Sequence, residues 1–376
     1  MGGFLLEHFT WPSIFYTLGP VSVAAIALVA ALAPRSRNPA PRRLDYPGLV
    51  ISAAFMGLLA GTTIEAPGWG WASAASLAGF AGSIVLLLAF TVAERRARAP
   101  MLDVRLFRDM RFSAASASVM IAFFTLLGFI FLLTQYFQFV RDYSPLSAGV
   151  HLLPVAACVA TGSTLGTRLA VRVSTKAIVT AGLVLQAAFY FWAASDLSPT
   201  LSYGIIAVQT VVYGLGMGLT SAPATEAPAT ESIMGAVAAS QAGVGSAIND
   251  SARLLGGTLG VAVTGSVYAT LYGSRLGSAL PPALPARLAD VAHQSIGGAY
   301  AVSAQLAGQG QGALASAVRQ AATGAFDHGV SVGCVVAGLV AAGGALLAAA
   351  FLPAQPPRQL GPDRQSAELA ATARDR

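Results

Sequence analysis

Charge is what this 376-residue sequence has least of: Asp, Glu, Lys and Arg together make up only 10% of it. A water-soluble domain carries about a quarter of such residues to keep its surface wet, so a soluble globular fold is excluded. Cysteine is almost absent. Cys158 and Cys334 both fall in apolar runs, match no metal-ligand spacing and do not fix a redox compartment. The four histidines are scattered, and no HExxH, phosphate-loop or GxSxG pattern occurs. Neither a cofactor nor a nucleophile–base–orienter set is indicated, so an enzyme is not expected. The glycines of "GLGMGL" (Gly214, Gly216, Gly218) lie in an apolar run without a preceding strand pattern. They fit close helix packing better than a nucleotide loop.

What is present is apolar: 55% of residues are hydrophobic and mean hydropathy is +0.66. A membrane-spanning helix needs about 20 mostly apolar residues. The pattern predicts nine such spans: Ile14–Ala33, Gly48–Ile64, Ala74–Ala93, Phe112–Tyr136, Ala148–Thr167, Ala177–Ala194, Leu201–Ser221, Val244–Leu271 and Gly329–Phe351. The chain therefore reads as an all-α integral membrane protein.

The cations orient these spans. With nine alternating crossings, Arg35, Arg37, Arg42 and Arg43 share a side with the Arg95–Arg111 cluster, with Arg168, Arg172 and Lys176, and with the C-terminal arginines. Seventeen of the 22 Lys and Arg lie there, four (Arg141, Arg275, Arg287, Arg319) lie opposite, and Arg253 falls within a span. The positive-inside rule makes the first side, and the C-terminus, cytoplasmic in a multi-pass cell-membrane protein. The net charge of +6 is thus topological; anionic lipid rather than nucleic acid is its natural neighbour. The first span must run inward from a short outer stub, "MGGFLLEHFTW", too short to span and lacking the basic region and cleavage site of a signal peptide. This predicts that earlier spans are missing from the chain. The long outer segment 272–328 is read as short surface helices or a disordered loop. The link after the seventh span holds a tandem repeat, "APATEAPATE" (Ala222–Glu231), read as a small duplication tolerated in a loop.

Several ordered motifs resemble the major facilitator superfamily, and within it the fourteen-span drug:proton antiporter branch. "TQYFQFVRDYSPLSAGVHLLP" (Thr134–Pro154) is similar to a passage at the outer end of that branch's ninth helix. "GMGLTSAPATE…GSAINDSARLLGGTLGVAVTGSVY" is similar to the passage joining its twelfth and thirteenth helices, "AFDHGVSVG" to the start of its last helix, and "MGGFLLEHFTWPSIF" to the close of its fifth. The Arg that usually follows that Trp is Pro12 here, the Gly-Pro of the antiporter motif is absent, and the APATE-like segment occurs twice. The resemblance implies this organisation: residues 1–33 as a remnant of the N-terminal half, a cytoplasmic Arg-rich loop at 34–47, two linker helices at 48–93, and a basic loop at 94–111. A complete six-helix C-terminal half follows at 112–352, with the outer loop at 272–328, then a cytoplasmic tail at 353–376. Such a half is an inverted repeat of three plus three helices. About four to five helices of the first half would be absent, to be supplied by an upstream-encoded half.

Ionisable groups inside a bilayer are the default functional candidates, because each is costly there. In the eighth span Ser246, Asp250, Arg253, Gly257, Gly260 and Thr264 form one polar-and-small stripe opposite Ile248, Ala252, Leu255, Leu259 and Val263. This predicts that the charges face protein or a cavity. Asp250 reads as a proton site, as a structural partner of Arg253 at i,i+3, or as an interfacial group; Asn249 can add hydrogen bonds. Arg253 reads as an anchor for Asp250 or for an anionic substrate group. Gly256 and Gly260, like Gly329 and Gly333, have the GxxxG spacing of packed helices. In the fourth span Gln135, Tyr136 and Gln138 sit among Phe123, Phe124, Phe129, Phe131, Phe137 and Phe139, suited to apolar or cationic drugs or to lipid contact. Glu65, Trp69 and Trp71 read as interfacial anchors, and His151 as a packing residue or a pH sensor. "GTRLAVRVSTK" (Gly166–Lys176) resembles the superfamily's cytoplasmic Gly/Arg loop, in which Arg168 and Arg172 would gate the inner face or serve topology alone.

The sequence thus points to a secondary exporter of hydrophobic or cationic compounds, driven by protons. The alternatives are a non-transporting fragment or partner subunit, and a metabolite exporter of the same superfamily.

Overall fold

A computed structural model of the protein describes residues 2–32, 45–97, 104–196, 198, 200–235 and 242–352, with only the backbone of 105–106, 171, 222–235 and 242–247. The described chain is helical, and among the described residues nine helices are long and apolar enough to cross a membrane. Helix formation follows from the bilayer itself, where every backbone N–H and C=O must be satisfied within the segment.

A short α1 (Gly2–His8) precedes α2 (Ser13–Leu32), which buries no residue. Helices α3 (Tyr46–Trp69) and α4 (Ala74–Arg96) form a hairpin. Its ends are capped by Asp45, whose Oδ1 accepts from the Gly48 N–H at 3.0 Å, and by Ser73, whose Oγ accepts from the Ser76 N–H at 3.2 Å. A 3-10 turn (Val104–Arg108) leads into α5 (Met110–Gln135), which ends in a π turn at Tyr136–Val140. Then come α6 (Pro145–His151), α7 (Leu153–Arg172), α8 (Thr175–Asp196), α9 (Tyr203–Gly235) and α10 (Ala242–Ala279). The chain closes with α11 (Ala286–Gln294), α12 (Ile296–Gly308) and α13 (Gly312–Phe351).

The six long helices α5, α7, α8, α9, α10 and α13 pack into one bundle, with α3 laid against α10 and α1 against α6. Glycines set the spacing. A Cβ on Gly218 would collide with the Val159 carbonyl of α7, and one on Gly216 would stand 2.7 Å from the Gly182 carbonyl of α8. The "GLGMGL" run is therefore a packing surface shared by three helices. The hairpin is pinned to α10 by two polar contacts: the Trp71 Nε1–H donates to Thr270 Oγ1 at 3.0 Å, and the Ser266 hydroxyl donates to the Thr63 carbonyl.

Three sequence expectations change. The second span is not short: α3 continues past Ile64 to Trp69, carrying an exposed Glu65 and Pro67 within it. The last helix begins at Gly312, seventeen residues before the apolar run at Gly329, and α10 runs on to Ala279. Alanine-rich sequence carries the helices beyond the hydropathic stretch. With α11 and α12 they bury Leu284, Val302, Leu306, Ala315 and Val318 in a small core of their own. Of the two readings of 272–328, the structure shows the short helices, packed with the ends of α10 and α13 into a folded cap. The APATE repeat lies on the continuous backbone of α9, not in a loop.

Candidate functional site

The seam between α10 and α5 brings backbones into near contact. A Cβ on Gly256 would collide with the Met120 carbonyl and one on Gly260 with the Phe124 carbonyl, while Gly257 faces Leu127 and Gly128 faces Thr264. Thr264 and Ser266 are buried on the same helix. One turn or two toward its start the polar residues emerge. Asp250 is exposed, and Asn249 and Arg253 are half-buried. Asn249 Oδ1 is enclosed without a hydrogen-bond partner among the described residues.

No Asp250–Arg253 ion pair forms among the described residues, where the salt bridge present is Arg319–Asp142. The Arg253 guanidinium instead lies over the Phe123 ring of α5, 5.2 Å from its centroid, a cation–π arrangement. The stripe is thus divided. Its glycines and Thr264 face α5, whereas Asp250 stands on an open surface of this chain. Arg168 and Arg172 of α7 are likewise exposed.

The aromatics of α5 mostly turn inward. Phe129 and Phe137 are buried, and Phe129 stacks on Tyr213 at 4.4 Å and meets Phe189 edge-on at 5.3 Å. These rings are core, neither lipid belt nor drug wall. Gln138 is exposed and Gln135 half-buried, whereas Tyr136 is 1% exposed and donates its hydroxyl to the Ser198 carbonyl at 2.8 Å. His151 sits between Tyr143 and Tyr203, each 4.5 Å away centroid to centroid, with Nδ1 2.7 Å from the Ser147 carbonyl.

Two features escaped the sequence reading. The first is a buried network at the centre of the bundle. The Thr125 hydroxyl donates to Gln186 Oε1, and Gln186 Nε2 donates to Thr220 Oγ1 at 3.0 Å. Tyr213 donates to Thr125 Oγ1 at 3.4 Å, and Tyr190 to the Thr125 carbonyl. Each member is isolated in its own apolar run, so hydropathy gives no sign of it. The second is a cavity of about 40 Å³ among α5, α8, α9 and α13, lined by Phe129, Tyr136, Tyr190, Gln209, Val330 and Cys334 with other residues. Drug-sized pockets run to several hundred Å³, so this space does not hold a drug.

At the cap end, Arg319 pairs with Asp142 at 2.8 Å and lies 4.3 Å over the Tyr300 ring. Asp142 has φ 50, a left-handed conformation unusual for a side-chain-bearing residue. Burial raises the Tyr300 phenol above its ordinary value, partly opposed by its 2.8 Å hydrogen bond with Thr323, so it stays neutral. Beside it Arg141 donates to the Leu201 carbonyl at 2.9 Å, and its hydrogen bond with Tyr143 raises its pKa further. Among the described residues no group of three or more His, Cys, Asp or Glu is placed to hold a metal ion.

Long apolar helices joined by glycine seams define a multi-pass helical membrane protein. The model of the Major Facilitator Superfamily matches residues 1–261. The chain belongs to that superfamily, whose members are transporters. Relatives carry efflux names. The multidrug efflux pump LfrA of Mycolicibacterium smegmatis is 31% identical over 352 residues, covering 93% of this chain and 67% of the relative. The tetracenomycin C resistance and export protein of Streptomyces glaucescens is 31% identical over 270 residues, covering 72% of this chain and 49% of its own length. The multidrug resistance protein Stp of Mycobacterium tuberculosis is 33% identical over 269 residues, covering 72% and 49%. The chain thus spans about half the length of the latter two.

Proposed function

We propose that the protein exports hydrophobic or cationic small molecules by proton-coupled alternating access, as a member of the fourteen-span branch. The observation that carries this reading is the match to LfrA, which extends along 93% of the chain and takes in the whole six-helix bundle. In this reading residues 112–352 are the C-terminal half, 48–93 the two linker helices, and 1–33 the closing part of the first half. The Arg-rich ends of the helices, including Arg168 and Arg172, face the cytoplasm together with the C-terminus, and the α11–α12 cap faces outward. The substrate path runs between this half and the other helices of the first. α2 buries no residue, an apolar surface suited to those helices, whether they belong to the same gene product or to a second chain.

Asp250, Arg253 and Asn249 then stand at the inner mouth of the path. Exposure of Asp250 on this chain fits a group that meets the opposite half or a proton. Gln135 flanks the outer part of the path and Gln138 lies beyond it, with the buried Tyr136 behind them. A non-transporting fragment is the rival reading, favoured by the unburied surface of α2.

Ethidium accumulation in bacteria lacking their own drug exporters separates the two. The exporter reading predicts less ethidium in cells making the chain, a difference abolished by a protonophore and by Asp250→Asn at unchanged membrane abundance. Equal accumulation with and without the membrane-inserted chain would sink the exporter reading. Export that survives Asp250→Asn would remove only the role of that carboxylate.

A further inference from the structure

An arginine near a helix end in a bilayer ordinarily runs its arm back to the surface. Arg253 does the opposite, and the seam gives the register. Gly256 lies level with Met120 and Gly260 with Phe124, on the parallel helix α5. Phe123 therefore stands about 9 Å further along the bundle than the Arg253 backbone, at 1.5 Å per residue. The guanidinium reaches along that rise to lie 5.2 Å from the Phe123 ring centroid. The ring is half-buried and packs against two apolar clusters of the bundle, so the core fixes its place.

Behind the arm, one turn toward the start of α10, stand two acceptors that it does not use. Asn249, at i−4, has its Oδ1 enclosed with no hydrogen-bond partner among the described residues. Asp250, at i−3, is exposed and forms no ion pair with Arg253. Helical spacing puts both within reach of a guanidinium folded back along its own helix. An enclosed acceptor without a donor is costly, so the arm has a second seat ready. There it exchanges a ring for a carboxylate and an amide oxygen. The neighbouring stretches 50–64 of α3, 113–125 of α5, 214–221 of α9 and 339–351 of α13 carry no ionisable side chain. The described neighbours thus add no charge to that of Asp250 and Arg253.

We propose that the Phe123 ring is the seat of the substrate's positive charge, and that Arg253 covers it until a substrate arrives. An organic cation with an apolar body takes the ring, and the displaced guanidinium folds back onto Asp250 and Asn249. One cation replaces another on the same ring, and the carboxylate neutralises the arm that leaves. Phe123 is thereby a specificity-determining residue, favouring cations over neutral or anionic compounds. The inference rests on the exporter reading and deepens it, because it names the class of substrate and the ring that recognises it.

Ethidium binding to the full chain in lipid nanodiscs, read by fluorescence anisotropy against empty nanodiscs, tests this without requiring transport. Phe123→Leu should weaken binding about three- to tenfold, the span of a cation–π contact at a half-buried site. Phe123→Tyr, which keeps a ring there, should bind as the unaltered chain does. Arg253→Gln should tighten binding by a similar factor, and Phe123→Leu in the same chain should erase that gain. Asn249→Leu should weaken binding several-fold when Arg253 is present and have no effect beside Arg253→Gln. A folded chain whose binding is indifferent to Phe123→Leu overturns the proposal. So does a gain from Arg253→Gln that survives Phe123→Leu, because removal of a charge alone then explains it. The expected binding pattern without export would sustain the ring site and remove the exporter reading. Export and binding both unchanged by Phe123→Leu would remove the ring site and spare the exporter.

Discussion

Gln186 shows how a single polar residue is tolerated in the centre of this bundle. It is fully buried, and both ends of its amide are engaged by threonines that also have backbone partners: Thr125 with the Ala122 carbonyl at 2.8 Å, Thr220 with the Gly216 carbonyl at 2.9 Å. Gln186→Leu therefore strands no donor. Thr125→Val leaves Gln186 Oε1 and the Tyr213 hydroxyl without their partner, which costs about 1–3 kcal/mol. Thermal unfolding in detergent should rank Thr125→Val as the more destabilising; the reverse order would mean that the network does not carry what the geometry assigns to it. At the cap, Asp142 has φ 50. Asp142→Gly should be close to neutral, because the exposed pair it forms with Arg319 is worth only about 0–1 kcal/mol and glycine adopts this backbone freely. Asp142→Val should lose about 1–2 kcal/mol through the clash of its Cβ in the left-handed region. Arg253 and Asp250 were visible in the sequence as charges on an apolar background, and their proximity by helical spacing was legible too. Their failure to pair was not, because it depends on Phe123 of another helix offering its ring to the guanidinium. Gln186 was illegible for the same reason: it is unremarkable in its own helix and gains meaning from Thr125 and Thr220 on other helices.

Element by element, the apolar runs located every long helix, since bilayer thickness imposes both their length and their composition. What composition could not place were ends that leave the apolar layer. α13 begins at Gly312 because "GALASAVRQAATGAF" is rich in helix-forming alanine and lays Ala315, Val318 and Ala322 against α12, although Arg319 and Gln320 lower its hydropathy. The glycine spacing Gly256–Gly260 marked a seam, but only the folded chain shows that its partners are the carbonyls of Met120 and Phe124. Gly256→Ala should force α10 away from α5 and cost about 1–3 kcal/mol as overpacking. Gly343→Ala, where a Cβ meets nothing within 4 Å, should instead stabilise by about 0.5–1 kcal/mol through helix propensity. Paired thermal melts of the two variants read the contrast directly; equal effects would place the seam elsewhere.

At the scale of the whole molecule, two asymmetries organise the account: arginine gathered at one end of the bundle, and a folded cap at the other. If the arginine-rich end is cytoplasmic, a cysteine placed at exposed Ser278, in a chain freed of Cys158 and Cys334, should react with an impermeant maleimide in intact cells. One placed at Lys176 should react only after lysis. The opposite pattern would invert the orientation. The superfamily was legible from ordered motifs spread across the chain, whereas the role of α2 was not, because it buries no residue against the rest of the described chain. The central claim is that this bundle couples protons to drug movement. It is tested most directly by reconstituting the chain in liposomes holding an imposed pH gradient and adding ethidium. The account predicts that ethidium accelerates dissipation of the gradient, and that Asp250→Asn removes the acceleration. A gradient that decays at the same rate with and without ethidium, in vesicles shown to contain the folded chain, would contradict it.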